Sequence, residues 1–324
     1  FYVNGGHTLD FHNKAFESLK YVGREQRNYV LASLVPMFGD ASRSEELHSW
    51  QSPVNLVQPL KEAFEELLNM DVSSGNGGSG IDDEELLQAL LGDEPIRTFR
   101  ALKEALLGGA SPVRISQIAA LAAAERVVRF HTQNDFGDWI SVLHTFTHAH
   151  AVHEGLIRSA DPWLVRGIFH TAVTIYLDRF LNIPAAPRPA IGASEEVPQP
   201  WELLEILDKQ QQVAPAAAWV IRYMRSGGKP EPLFNVLGHA LLREDAEFHS
   251  FQMYEAAVAE YDRWASESGP FAEKARETLI LAITRYLAAH APTSRETPHT
   301  AKIAWRLHRG EKLFEEEKNE TGQH

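Results

Sequence analysis

Apolar residues return every three to four positions along most of this chain, and nowhere do they alternate with a period of two for the length of a strand. The pattern predicts an all-α protein, a compact bundle-like domain of about 12–13 helices. Residues 9–22 (LDFHNKAFESLKYV) carry a helical stripe on which His12 sits beside Phe16 and Leu19, and 24–38 continue it after Gly23. Pro53 is read as opening a helix whose stripe is Val57, Leu60, Phe64 and Leu67. SSGNGGSG at 73–80 is too rich in Gly and Ser to offset its ordering entropy, which predicts a mobile loop. Asp82 or Asp83 caps EELLQALL, and 96–107 form another helix before Gly108 and Gly109. Ser111-Pro112 and Asp161-Pro162 each put a capping residue ahead of a proline at the first helical position. These signals open helices to about Phe130 and about Leu181, with a longer one from about Gly137 to Arg158 between them. Five prolines fall within 182–200, and further helices are read near 201–212, 215–226, 231–243, 246–266, 270–290 and 298–309. The organisation expected is one domain over 1–314, with halves 1–181 and 201–314 joined by the proline-rich 182–200, and a charged tail at 315–324.

Composition narrows the function classes. Among 324 residues, 31 Lys and Arg face 44 Asp and Glu, a formal charge of −13. That balance argues against nucleic acid, whose binders carry a basic stripe, and against a polybasic membrane-surface protein. No window approaches the roughly 20 consecutive apolar residues of a membrane span. Cysteine is absent, which removes thiolate catalysis, zinc ribbons and any iron–sulfur cluster held by this chain's own thiolates. A bound metal would therefore take nitrogen and oxygen donors. The chain opens on Phe1 rather than Met, as expected of a longer or processed gene product, and a cytoplasmic location is the default expectation.

Histidine, at fifteen residues, is the unusual component. LHTFTHAHAVHEGL places His144, His148, His150 and His153 within three turns. With His144 at 0°, successive steps of about 100° put His148 near 40°, His153 near 180° and His150 near 240°. They form two pairs. His144 and His148 share a face with the small residues Ala151 and Gly155, while His150 and His153 lie opposite with Phe146 and Ile157. Trp139, Ile140, Val142, Leu143, Phe146, Val152 and Leu156 point in nearly every direction, so this is a buried central helix. A buried imidazole left unsatisfied costs on the order of 1–3 kcal/mol, so each must find a hydrogen-bond partner or a metal. The spacing of four lets His144 and His148 reach one ion. His249 shares a face with Gln252 and Ala256, His131 ends the Ala-rich helix that also bears Glu125, and His7 follows Asn4-Gly5-Gly6. Glu45 and His48 make a Glu-x-x-His pair, where a ferritin-like di-iron site wants two together with further glutamates. There is no HExxH, no GxSxG and no phosphate loop.

The segments LDFHNKAFESL, SRSEELHSWQSPVNLV, RFHTQNDFGDW, VLHTFTHAHAVHEGL, YLDRFLNIPAAP and LAAHAPT resemble the large helical region of bacterial proteins that often also carry a Rieske [2Fe-2S] domain, which is missing here. More distantly the chain resembles the questin oxidase family, helical enzymes that oxidatively cleave anthraquinone-like rings. His144 to Thr147 matches that family's His-x-x-Thr motif, and His249, Gln252, Glu255 and Ala256 match a His-x-x-Lys segment followed by Glu-Ala. The resemblance implies a non-haem iron held by these histidines, one more near the N-terminus and a carboxylated lysine. Gln252 replaces that lysine, and Ser111 stands where a His-Pro ligand motif would precede Pro112.

The function expected is thus a non-haem metal oxidoreductase or oxygenase, using O₂ on a hydrophobic, aromatic polyketide-like small molecule. It would hold one transition metal, with iron favoured by the resemblance and zinc as the alternative. The expected ligands are His12, His144, His148 and His249, with Gln252 as a weak contact and His131, Glu125, His7 and His153 as further candidates. Trp50, Trp139 and Phe146 are expected to line an apolar pocket. Two other readings stand beside this one. The first is a non-catalytic helical module with satisfied core histidines, docking a Rieske or other electron-transfer protein; the second is a zinc-dependent hydrolase.

Overall fold

The computed structural model describes residues 1–39, 41–68, 82–159, 161–190 and 192–312. The Gly/Ser-rich 73–80 and the tail 315–324 lie outside the described residues. Within them all regular structure is helical: α1 His7–Ser18, α2 Arg27–Ala32, α3 Pro36–Gly39, α4 His48–Gln51, α5 Val57–Leu67, α6 Asp83–Leu91, α7 Pro95–Leu107, α8 Pro112–Val128, α9 Phe136–Arg158, α10 Pro162–Asp178, α11 Glu202–Leu207, α12 Val213–Arg225, α13 Pro230–Arg243, α14 Phe248–Ala265, α15 Pro270–His290 and α16 Glu296–His308. Twelve of these are nine residues or longer. None is long and apolar enough to cross a membrane.

Local chemistry sets the helix ends. Asp135 opens α9 with a capping box, its carboxylate accepting from Asp138 N while Asp138 accepts from Asp135 N. Asp161 accepts from Trp163 N at the start of α10, and Asp82 from Glu85 N at the start of α6. Ser111 lies extended ahead of Pro112, but its hydroxyl makes no capping bond. The helix read as opening at Pro53 starts instead at Val57, because Asn55 Oδ1 accepts from the backbone nitrogens of Val57 and Gln58. The stripe read over 24–38 is divided between α2 and the single turn α3.

The core runs from Tyr2 to Ala288 and includes side chains from both sides of the proline-rich segment. That segment is tied to the bundle: Ala186 N donates to Arg129 O at 2.7 Å, and Arg188 pairs with Glu125 and Glu277. Helix α8 presents Ala119, Ala120, Ala122, Ala123 and Ala124 with no appreciable exposure, and this narrow face lets α9 and α15 pack close. Gly167 of α10 does the same for Val152, whose Cγ2 would lie 2.6 Å from an added Cβ.

Helix α9 lies at the centre, against α1, α8, α10 and α14. His7 meets His144 and Asn13 meets Arg158, while His249 meets His144 and Arg263 meets Glu154. Both α1 and α14 therefore run in the same direction as α9, and the three form one continuous seam.

Candidate metal centre

At one end of the seam, His7, His144 and His249 each offer a ring nitrogen, and the three atoms lie within 4.8 Å of one another. His144 Nε2 stands 3.1 Å from His249 Nε2. The ring centroids of His7 and His144 are 4.2 Å apart, edge to face, and those of His7 and His249 are 5.5 Å apart. Backbone geometry delivers His7: Gly5 and Gly6 take positive φ of 62° and 96°, where a side chain would be strained, and turn the chain so that His7 begins α1. Glu247, just before α14, lies 2.9 Å from His249 Nδ1. With the proton on Nδ1 donated to that carboxylate, the Nε2 lone pair faces His144, the orientation by which a carboxylate prepares a histidine ligand.

His144 and His7 are poor places for protons. Burial pushes His144 down to about 3, helped by the neighbouring His7 and His249, and it lowers His7 in the same sense with a further contribution from His249. His7 Nδ1 is enclosed and has no hydrogen-bond partner. Phe11 and the half-exposed Phe248 flank His7, with centroids 5.7 and 5.8 Å from its ring.

Further along the seam the chemistry changes. His150 Nδ1 lies 2.8 Å from Glu260 Oε1, and His153 Nδ1 lies 2.9 Å from both oxygens of the same buried carboxylate. His150 Nε2 faces Glu17 Oε1 and Glu255 Oε2, each at 3.8 Å, and Lys14 bridges those two glutamates. Burial alone would lower His150, but Glu17 and Glu260 outweigh it and raise the ring to about 9. Burial likewise pushes Glu260 and Glu17 up. His153 and His150 bring Glu260 down to about 2, and His150 and Lys14 bring Glu17 to about 2. Asp10 is fully enclosed, with neither oxygen hydrogen-bonded, and burial lifts it to about 6 against the pull of Lys14 and His150.

Of the four expected ligands, the structure brings His144 and His249 together and places His7 as the third. His12 sits on the opposite side of α1, five residues and roughly 140° from His7, with its ring near Phe16 and Phe38. His148 turns away from His144: Tyr2 covers its ring edge-on at 4.7 Å, and burial with the adjacent His170 pushes it down to about 3. Gln252 is buried on α14 with Oε1 unpartnered. His153 belongs to the Glu260 cluster. Glu125 pairs with Arg129 and Arg188, and His131 Nδ1 accepts from Gln133 N, so neither joins a histidine group. Glu45 turns from the exposed His48 to His170, whose Nε2 lies 3.0 Å from Oε1. Trp50, Trp139 and Phe146 are core residues: Trp50 packs on Tyr2 and His170, and Trp139 on Phe130 and Tyr286. The aromatic rings beside the imidazoles are Phe11 and Phe248 instead.

Compared with known proteins, the chain matches no protein-family model, no curated protein and no solved structure.

Proposed function

We propose that His7, His144 and His249 hold one transition-metal ion, and that the chain is a non-haem metal oxidoreductase acting with O₂ on a hydrophobic, aromatic small molecule. The observation that carries this reading is the pairing of Glu247 with His249 Nδ1 while His249 Nε2 stands 3.1 Å from His144 Nε2. Two nitrogens each about 2.1 Å from an ion, at roughly a right angle, lie about 3 Å apart. The unpartnered His7 Nδ1 and the low proton affinity of His7 and His144 fit neutral imidazole donors. Such a metal, when bound, supplies the redox chemistry; this chain's residues position it and admit the substrate. Phe11 and Phe248 offer an apolar approach to the His7 ring, matching the aromatic substrates of the questin oxidase family that the sequence resembles.

Three imidazoles also make a zinc site of the hydrolytic type, so the metal itself separates the two chemistries. The test is metal analysis and electron paramagnetic resonance of protein expressed with iron. About one equivalent of iron, lost in the His144→Ala/His249→Ala variant, is the expected result. Zinc in its place would favour hydrolysis. Folded wild-type protein that takes up neither metal would overturn the proposal and leave the non-catalytic docking module.

A further inference from the structure

We propose that Glu17 of α1, His150 of α9 and Glu255 of α14 hold a second divalent cation of the Mn²⁺, Fe²⁺ or Zn²⁺ type. The inference is independent of the reaction proposed above. Glu260 fixes His150 from behind, at 2.8 Å from Nδ1, and so directs Nε2 toward the two glutamates. The gaps of 3.8 Å to Glu17 and Glu255 are too wide for hydrogen bonds. They are the separations of donors that each lie about 2.1 Å from a shared ion, which span roughly 3 to 4.2 Å.

An unpaired group points to a ligand. His150 Nε2 has no hydrogen-bond partner although the ring is fully enclosed. Lys14 satisfies Glu17, at 3.0 Å, and Glu255, yet leaves His150 Nε2 without a bond. A divalent cation here would displace the proton that Glu17 and Glu260 otherwise hold on His150, and would give Nε2, Glu17 and Glu255 a common partner. A nitrogen with two carboxylates suits a first-row divalent metal rather than soft Cu(I). His144 and His150 are six residues apart, about 9 Å along α9, whereas paired-metal sites hold their ions about 3.5–4 Å apart. The two ions would therefore act separately, and the second would tie α1, α9 and α14 into one unit.

The test uses the full chain carrying His144→Ala and His249→Ala, stripped with chelator and titrated with MnCl₂ while free Mn²⁺ is followed by electron paramagnetic resonance. One Mn²⁺ per chain should bind and raise the melting temperature by several degrees. Adding Glu17→Gln or His150→Gln should weaken binding at least tenfold, and adding Lys14→Met, which removes the competing cation, should tighten it at least tenfold. Should His150→Gln fail to fold, Glu255→Gln at the half-exposed edge takes its place with the same expected loss. Absence of Mn²⁺ binding, or binding unchanged by Glu17→Gln and Glu255→Gln, would overturn the proposal. Neither result depends on whether the imidazole trio takes up iron.

Discussion

The two clusters on the seam share their helices and differ in what stands behind each buried ring. In the trio, His144 has imidazoles for neighbours and is held near 3, while the one carboxylate present, Glu247, touches only His249 from a half-exposed position. Six residues later on the same helix His150 has Glu260 at 2.8 Å and is raised to about 9. Burial acts on both rings in the same direction, so a contacting carboxylate decides the outcome. One end of the seam thus offers neutral nitrogen donors and the other a hydrogen-bonded ionic cluster.

The largest effect should come from removing the carboxylate that defines the second cluster. Glu260→Ala strips His150 and His153 of their shared partner inside the core, a change of the kind that costs about 3–5 kcal/mol. Glu247→Ala, at a half-exposed position, should change stability by less than about 1 kcal/mol. Denaturant titration of both variants checks the pair, and equal losses would erase the distinction between the two ends.

Asp178 provides a second contrast, with Asp10. Both are enclosed carboxylates raised by burial, to about 7 for Asp178, opposed there by Thr145 and Arg126. Above its ordinary value of 3.8 the unfolded chain ionises Asp178 while the folded chain keeps it protonated up to about 7. This group therefore lowers stability as pH rises from about 4 to 7, by up to about 4 kcal/mol, and the cost is absent below pH 4. Asp178→Asn should flatten that part of the stability–pH curve and stabilise the protein at pH 8. An unchanged curve would show that Asp178 is ionised in the fold.

A smaller effect is expected at the trio. Glu247→Ala should weaken metal binding about 10–100-fold, the usual consequence of losing the group that orients a histidine ligand, with little change in unfolding. Competition with a chromogenic chelator measures it. Unchanged affinity would mean that His249 needs no orientation from Glu247.

Much of this was legible in the sequence wherever a local rule governs. The helical class, the burial of α9 and its division into a His144 side and a His150/His153 side all follow from a 3.6-residue period. Partners distant along the chain were not legible. Glu260 is 110 residues from His150, and no local pattern marks it as the carboxylate behind that ring. That His7 rather than His12 stands beside His144 was hidden for another reason. The stripe holding His12, Phe16 and Leu19 looked like the inward face of α1, yet Phe16 is 44 % exposed while Asp10 and Asn13 are buried. Helix α1 turns a polar face inward because α9 and α14 supply imidazoles, carboxylates and an arginine to meet it. The one local hint was Gly5-Gly6, whose positive φ values set the direction of the helix and bring His7 to His144.

The smallest structural perturbation asks which side of the trio is open. Phe248 is 44 % exposed, its ring centroid is 3.9 Å from that of His249, and it also flanks His7 and Phe11. Truncating a half-exposed ring removes little buried area, so Phe248→Ala should shift unfolding by no more than about 1 kcal/mol and leave metal content unchanged. An aromatic ligand approaching the trio across Phe11 and Phe248 would lose a stacking surface, worth about 0.5–1.5 kcal/mol beyond the area it covers. An anthraquinone followed by absorbance should therefore bind wild type about tenfold more tightly than Phe248→Ala, with no such difference for Trp163→Ala, whose exposed ring lies against Arg166 beside the opposite end of α9. Equal weakening by both variants would move the apolar ligand away from the imidazoles, and the neutral end of the seam would then bind metal without being the place where substrate meets it.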